Sequence, residues 1–143
     1  MSTIADLTLD ISQTIEINAA IGDAYAAVLR QFTSENSTPD NKAMPMVLEE
    51  WPGGRWFRDL GNGQGHLWGF VQVIKPPTLI EINGPMFMSY PVAGHLQIRL
   101  AQIPGGTELS LRHQVLGAVQ EEHRKGVVLG WTSKLQKVKQ AAE

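Results

Sequence analysis

The stretch QEEHRKGVVLGWTSKLQKVKQAA, residues 120–142, decides the fold. Its apolar residues recur at spacings of four, four, three and four, which predicts an amphipathic α-helix with one buried stripe. The stripe consists of Val127, Trp131, Leu135, Val138 and Ala142. Gly126 and Gly130 lie inside the same pattern, where each costs roughly 1 kcal/mol relative to alanine. Close packing, or room for a ligand, would compensate for that cost.

The composition predicts an ordinary globular protein. Of the 143 residues 43% are hydrophobic and 18% are charged, and the formal net charge is −2. This balance argues against disorder and against a general attraction to nucleic acid or an anionic membrane. The chain has no cysteine, which excludes disulfides and thiolate metal sites and fits a reducing compartment. Because there is neither a signal segment nor a long apolar run, we expect a cytoplasmic protein without a membrane span.

A strand and a short helix are expected at the start of the domain. We expect residues 1–8 to form a loose N-terminal segment and residues 9–143 to form a single domain. Apolar and polar residues alternate over 9–17, as in a half-buried strand, and helical spacing follows near 20–32 with Asn18 as the expected cap. The polar stretch 34–42 contains Pro39 and predicts a loop that forms a mobile rim.

The middle of the chain predicts a meander of antiparallel strands. Short strand-like runs alternate with glycine and proline turn signals, and the segment 84–92 is too interrupted by proline for a regular strand. The expected strands are 47–50, 55–60, 66–74, 79–83, 94–103 and 107–115. The order of strand, helix, about six strands and long helix predicts an α+β domain whose sheet covers one face with the last helix.

Four segments carry a resemblance to a known superfamily. They are IEINAAIGDAYAAVL at 15–29, GHLWGFVQVIKPPTLIEI at 65–82, GGTELSLRHQV at 105–115 and GWTSKLQKVK at 130–139. Together they resemble the START-like superfamily, also called SRPBCC or helix-grip proteins, and within it the branch similar to the activator of the heat-shock chaperone ATPase. The sequence departs from the usual pattern at Ala20, where a proline is common, and in its short 84–92 segment.

The resemblance implies a helix-grip fold, in which a curved antiparallel sheet of six or seven strands wraps around the long C-terminal helix. It also implies an elongated apolar cavity that in many relatives holds a lipid, sterol, polyketide or other hydrophobic molecule. Inward-facing strand positions beside a glycine-bearing helix agree with such a site. The candidate lining residues are Trp56, Trp68, Phe70, Met86, Met88, Tyr90, His113, His123, Val127 and Trp131. The alternative is that these are ordinary core side chains.

Two histidines stand out among the candidates. His113 alternates with Leu109, Leu111 and Val115 and is therefore expected to point inward, where it would bind a ligand oxygen or move a proton. The alternative is a core histidine that bonds a backbone carbonyl or a buried carboxylate such as Glu81 or Glu49. His123 lies four residues before Val127, so it either faces the cavity or is solvated at the helix end.

Other chemistry finds little support in the sequence. The histidines lack metal-ligand spacing, so no metal site and no cofactor are predicted. The stretch GNGQG at 61–65 predicts a hairpin turn because no helix follows it, and no nucleophile elbow occurs. Arg55 and Arg58 are expected to be solvated or paired with acidic neighbours, which argues against nucleic acid as a partner. Early glutamates and late lysines in the last helix suit its dipole.

Three functional hypotheses follow. The first is binding of a small hydrophobic molecule in the cavity, with no catalytic residue. The second is an aromatase/cyclase-type enzyme in which His113 or Tyr90 moves protons on a polyketide. The third is a module that interacts with a protein partner such as a chaperone ATPase, although the relatives with that activity carry an additional domain.

Overall fold

The computed structural model describes residues 3–143 and contains every helix and strand expected from the sequence, with bounds that differ by no more than two residues. The elements in chain order are β1 (Thr8–Ile17), α1 (Ile21–Phe32), β2 (Val47–Leu48), β3 (Arg55–Gly61), β4 (Gln64–Lys75), β5 (Leu79–Asn83), β6 (Val92–Ile103), β7 (Gly106–Gly117) and α2 (Glu121–Ala142). Of the segment 84–92 that was expected to be irregular, residues 84–91 are irregular and Val92 already belongs to β6.

The strands form one curved sheet of seven strands, and every neighbouring pair is antiparallel. Their order across the sheet is β1-β7-β6-β5-β4-β3-β2, so β1 and β2 are the two edges. The turn at 61–65 joins β3 to β4, and its residues Gly61, Asn62 and Gly63 have positive φ angles of 83°, 56° and 74°. The predicted α+β helix-grip fold is confirmed.

The concave face of the sheet and the two helices enclose the core. A continuous row of buried side chains crosses this face in register, from the β1 edge towards β4. The row consists of Ile11, His113, Leu96, Ile82 and Val71. Alternation along β1, β6 and β7 therefore separates a buried face from a more exposed one, as the sequence pattern predicts.

The predicted stripe of α2 faces this core. Val127, Leu135 and Val138 are buried, while Trp131 and Ala142 are half-buried and pack against the same cluster. The helix packs chiefly against α1 and β1, on one side of the concave face. This one-sided contact leaves the half of the sheet formed by β3 and β4 without direct cover from α2.

Two expectations for the N-terminal part differ from the structure. The loose start was expected over residues 1–8; residues 1 and 2 lie outside the described range, Ala5–Leu7 form a short 3-10 helix and β1 already begins at Thr8. The N-cap of α1 is Ala20, whose methyl group cannot cap a helix, so the prediction of Asn18 as the cap is wrong. The backbone N–H of Asn18 instead donates to Glu143 Oε2 at 2.7 Å, which ties the end of β1 to the end of α2.

Candidate functional site

A cavity of about 420 Å³ lies between α2 and the β3–β4 half of the sheet. Two connections close its sides: the rim loop, defined as residues 33–46 between α1 and β2, and the irregular segment 84–91. Its volume falls within the range of roughly 300–1,000 Å³ that is typical of small-molecule sites. Its wall consists of Phe32, Asn36, Ser37, Thr38, Pro39, Met44, Trp56, Trp68, Met86, Phe87, His123, Gly126, Val127, Gly130, Trp131 and Lys134.

The two glycines of α2 create open space on the helix side of this cavity. Both line the wall, and a Cβ atom placed on Gly126 or Gly130 would have no described heavy atom outside the helix backbone within 4 Å. Close approach of the sheet therefore does not explain them. Of the two compensations expected for glycine in a helix, the geometry fits room for a ligand.

Aromatic side chains of α1, β3 and β4 form the wall opposite α2. The Phe32 and Trp56 rings are stacked with centroids 5.0 Å apart, and Trp68 meets Trp56 edge-on at 5.1 Å. The indole N–H of Trp56 donates to the Phe32 carbonyl at 2.8 Å, so the ring is held by a hydrogen bond as well as by packing. This cluster presents a preformed apolar surface that suits a flat hydrophobic molecule.

Two lysines of α2 tie the rim loop to the helix. The Lys134 ammonium donates to Asn36 Oδ1 at 2.6 Å and to the Gln31 carbonyl at 3.1 Å. Lys137 donates to Ser37 Oγ at 2.9 Å and to the Thr38 carbonyl at 2.8 Å. The sequence interpretation of these lysines as complements of the helix dipole is therefore incomplete, because both also hold the loop that was expected to be a mobile rim.

Lys134 also supplies the charge on the cavity wall. Burial, and to a lesser extent the neighbouring Lys137, lower the pKa of Lys134 to about 8. Its ammonium is consequently protonated at neutral pH but gives up its proton more readily than a solvated lysine.

A histidine and a tyrosine pair at the other end of the cavity. The Tyr90 hydroxyl lies 2.6 Å from His123 Nδ1, and the two rings are stacked with centroids 5.5 Å apart. The backbone N–H of Gln120 donates to the same hydroxyl at 3.4 Å. Phe87 meets the His123 ring edge-on at 5.3 Å, which holds the ring from a second direction. With Tyr90 as donor to Nδ1, the neutral imidazole carries its proton on Nε2.

His113 is fully buried, as the alternation in β7 predicts, but it is not on the cavity wall. Its Nδ1 accepts a 3.0 Å hydrogen bond from the indole of Trp131. The suggested carboxylate partners are wrong, because Glu81 pairs with His95 at 2.9 Å and Glu49 pairs with Arg55 at 2.8 Å. Burial, with a smaller effect from His95, lowers the pKa of His113 to about 4, so the ring is neutral. We therefore assign it the role of holding the Trp131 ring from behind.

The structure brings six of the ten candidate residues together on the cavity wall, namely Trp56, Trp68, Met86, His123, Val127 and Trp131. Tyr90 and His113 stand one layer behind, each bonded to a wall residue. Met88 is fully buried, but it packs in a separate cluster with Val115 and Val119.

Phe70 lies on the outer face of the sheet and is 47% exposed, so its expected place in the cavity is wrong. The cause is a β-bulge in β4. Trp56 pairs with Gly69 and Phe57 pairs with Leu67, which leaves Trp68 as an extra residue on its strand. One inserted residue moves the side chains that follow it to the opposite face, as far as a second register shift between Val71 and Val73, so Phe70 pairs with Arg55 on the outside.

The remaining wall residues were not among the sequence candidates. Six of them belong to the rim loop or to the segment 84–91, where no periodicity marks a facing direction, and the other four, Phe32, Gly126, Gly130 and Lys134, lie in helices. Lys134 falls on the α2 stripe between Trp131 and Val138, three residues after the one and four before the other. A lysine at a stripe position is a signal that could have identified it.

The rest of the described chain offers fewer signs of a site. A second depression, of about 360 Å³, lies between the β1–α1 connection and the β6–β7 turn, and its walls carry neither an aromatic nor a titratable side chain. Within residues 3–143 there is no group of three or more histidine, aspartate or glutamate side chains arranged to hold a metal ion. In the same range, no helix is long and apolar enough to cross a membrane.

A family model described as Activator of Hsp90 ATPase homolog 1-like protein matches residues 24–143. The chain belongs to this family. The Hsp90-activator-like family is the branch that the sequence segments resembled, so that resemblance is confirmed. No match was found among proteins of curated function.

Solved structures share the fold of this chain at low sequence identity. An uncharacterised protein from Rhizobium leguminosarum is 17% identical with a TM-score of 0.72, and 94% of each chain is covered. The di-domain ARO/CYC StfQ from the steffimycin biosynthetic pathway is 15% identical with a TM-score of 0.70; the match covers 97% of this chain and 52% of StfQ. A protein from Chromobacterium violaceum is 18% identical with a TM-score of 0.71, and 94% of this chain and 96% of that chain are covered. The present chain thus spans about half of the di-domain protein.

Proposed function

We propose that the protein binds a small, flat hydrophobic molecule in the cavity between α2 and the β3–β4 half of the sheet. The open space beside Gly126 and Gly130 carries this proposal, because these glycines weaken the helix and no close backbone contact compensates for them. The preformed aromatic wall and membership in the Hsp90-activator-like family support it.

Filling the cavity from the helix side tests the proposal. Gly130→Leu places a side chain into open space on the wall, so we expect it to weaken binding by about tenfold or more while the protein still folds. The neutral fluorescent probe phenylnaphthylamine reports binding by its emission. Gly22→Leu is the matched control, because Gly22 is an exposed helical glycine in α1 with equally open surroundings away from the cavity.

Two results would contradict the proposal. One is that the wild-type protein fails to bind phenylnaphthylamine and carries no apolar molecule in native mass spectrometry after purification. The other is that Gly130→Leu and the Gly22→Leu control leave probe binding equally unchanged, since a probe in the cavity cannot ignore a leucine placed there.

A second candidate function is an aromatase/cyclase-type reaction on a bound polyketide. The observation that favours it is the 2.6 Å contact between the Tyr90 hydroxyl and Nδ1 of His123, a histidine that lines the cavity; when Tyr90 is the donor, the neutral imidazole carries its proton on Nε2. The fold likeness to StfQ agrees with this candidate. As the α-carbon of the substrate forms a carbon–carbon bond with a ketone carbon, His123 would donate its Nε2 proton to the ketone oxygen and take the Tyr90 proton at Nδ1. The proton that the α-carbon loses would return through solvent to Tyr90, so the protons balance.

The enzyme candidate is tested with a short poly-β-ketone thioester as substrate. We expect cyclised product to be lost in Tyr90→Phe and His123→Gln, while phenylnaphthylamine still binds both variants. Cyclisation at the wild-type rate in both variants would remove the pair from the mechanism, and absence of product with the wild-type protein would remove the reaction itself.

A further inference from the structure

The wall of the cavity is electrically one-sided. Among the described residues it contains no aspartate and no glutamate, and Lys134 is its one side chain that is mostly protonated and positively charged at neutral pH. His123, the other titratable group on the wall, is neutral or positive but never negative. Any charge that the wall presents to a bound molecule is therefore positive.

The Lys134 charge also lacks a counter-ion. Within residues 3–143, no carboxylate oxygen lies within 4 Å of the Lys134 or Lys137 ammonium. The neighbouring charge that acts on Lys134 is that of Lys137, and it is repulsive. Asp40 in the rim loop is weakly influenced by the charge of Lys137, but its ion-pair partner is Lys42, at 3.6 Å on the exposed side of the loop. A partly buried cation without a counter-ion is unfavourable, and an anion beside it would relieve that cost.

One of the three N–H donors of the Lys134 ammonium makes only a long, weak hydrogen bond. Its bonds to Asn36 Oδ1 and to the Gln31 carbonyl are 2.6 and 3.1 Å long. The third acceptor, the Ser37 carbonyl, lies 3.5 Å away, at the outer limit for a hydrogen bond. An ammonium group has three donors, so one N–H can turn to a bound oxygen without breaking either short bond.

We propose that the cavity selects a hydrophobic molecule bearing one anionic group, such as a carboxylate or sulfonate, and that Lys134 binds that group; this rests on the proposed function. The apolar part of the molecule then lies along Trp131 and Val127 towards Phe87. The wall extends from Lys134 to His123, about 16 Å along the helix axis at 1.5 Å per residue. That length accommodates two or three fused or linked rings behind the anionic group.

A pair of fluorescent probes tests this inference. Anilinonaphthalene sulfonate and phenylnaphthylamine share the same aromatic framework, but only the first carries an anionic group. We expect the wild-type protein to bind the sulfonate about tenfold more tightly than the neutral probe, as a charge-assisted hydrogen bond in a partly buried site predicts. Titrations at neutral pH and fixed ionic strength measure both dissociation constants.

Three variants locate the effect. Lys134→Met should abolish the preference for the sulfonate, so that its dissociation constants for the two probes differ by less than about twofold, and Lys134→Arg should retain most of the preference. Lys137→Met is the matched control, because it removes the same charge from the same helix and loosens the same loop, but Lys137 is not on the wall. It should keep the preference, and thermal unfolding verifies that each variant is folded.

The outcomes separate this inference from the proposed function. Equal affinity of the wild-type protein for both probes, or an unchanged preference in a folded Lys134→Met variant, overturns the anion selectivity and leaves the cavity as a binding site. Loss of the preference in Lys137→Met to the same extent as in Lys134→Met also overturns it, because general charge would then be the cause. Failure of both probes to bind the wild-type protein overturns the two proposals together.

Discussion

The two halves of α2 meet the rest of the molecule in different ways. In the C-terminal half, Leu135 and Val138 are 3% and 0% exposed and pack against the core. In the N-terminal half Val127 is also buried, but Gly126 and Gly130 face open space. One helix therefore serves as a structural element at its end and as the wall of a cavity at its beginning.

This difference shows how a single helix can be stable and still leave a binding site open. The C-terminal half supplies the buried apolar area of Leu135 and Val138, and contacts of the helix as a whole with α1 and β1 fix its position. The N-terminal half can then omit side chains, because tertiary anchoring compensates for the weak helix propensity of glycine. The C-terminal half of α2 thus contributes mainly to stability, and the N-terminal half contributes mainly to the proposed binding site.

Truncating the anchored half should have the largest effect. Leu135→Ala should lower the free energy of unfolding by about 2–5 kcal/mol, because it leaves a cavity in the dry core. Affinity for phenylnaphthylamine should change by less than about twofold under conditions where the variant is folded. Urea denaturation and probe titration measure the two quantities.

Leu129→Ala is the control for that experiment, because Leu129 lies on the same helix but is 69% exposed. Its unfolding free energy should stay within about 0.5 kcal/mol of the wild-type value. Similar losses for the two leucines would show that α2 is not anchored through its C-terminal half.

Acid should have the second-largest effect, through His113 behind the cavity wall. In the unfolded chain His113 is protonated below about pH 6.5, whereas its pKa in the folded protein is about 4. The contribution of neutral His113 to the free energy of unfolding is therefore fully present above pH 6.5 and decreases as the pH falls towards 4. The loss should reach about 3 kcal/mol, because each pKa unit corresponds to about 1.4 kcal/mol. Urea denaturation between pH 4 and 7 should show a smaller loss in His113→Gln than in the wild type, and parallel curves would contradict the assignment.

Adding a side chain to the N-terminal half of α2 should have the smallest effect on the free energy of unfolding, and it should increase that free energy. Gly126→Ala should raise the free energy of unfolding by about 0.5–1 kcal/mol, because alanine favours the helix and its methyl group meets open space. Thermal or urea unfolding measures the gain. A destabilised variant would show that the helix needs glycine at this position for close packing, which would remove the observation behind the binding proposal.

The elements of the fold followed from periodicity and turn chemistry, because those signals are local. The alternation in β7 placed His113 on the buried face, and the four-four-three-four spacing in α2 identified its buried stripe. Phe70 shows the limit of predicting facing directions from alternation. A bulge at Trp68 reverses the direction in which the next side chains of β4 point. The bulge is visible in the pairing of β4 with β3 but not in the sequence of β4 alone.

The site was predicted less completely than the fold, for a related reason. The aromatic and helical residues of the wall carry a pattern in the sequence, and six of the ten candidates lie on it. The rim loop has no period, so the contacts of Asn36 and Ser37 with the lysines of α2 were invisible. These contacts join residues about a hundred positions apart, and pairing over that separation depends on the packed structure.

The sequence by itself determined the element order, the helix-grip architecture and the family, because each depends on local periodicity or on resemblance along the chain. It also identified two glycines that weaken the last helix and therefore need a reason. Only the tertiary structure decided that reason. The one-sided packing of α2 on α1 and β1 leaves those glycines facing a cavity, and no local pattern encodes the distance between a helix and the far half of a sheet.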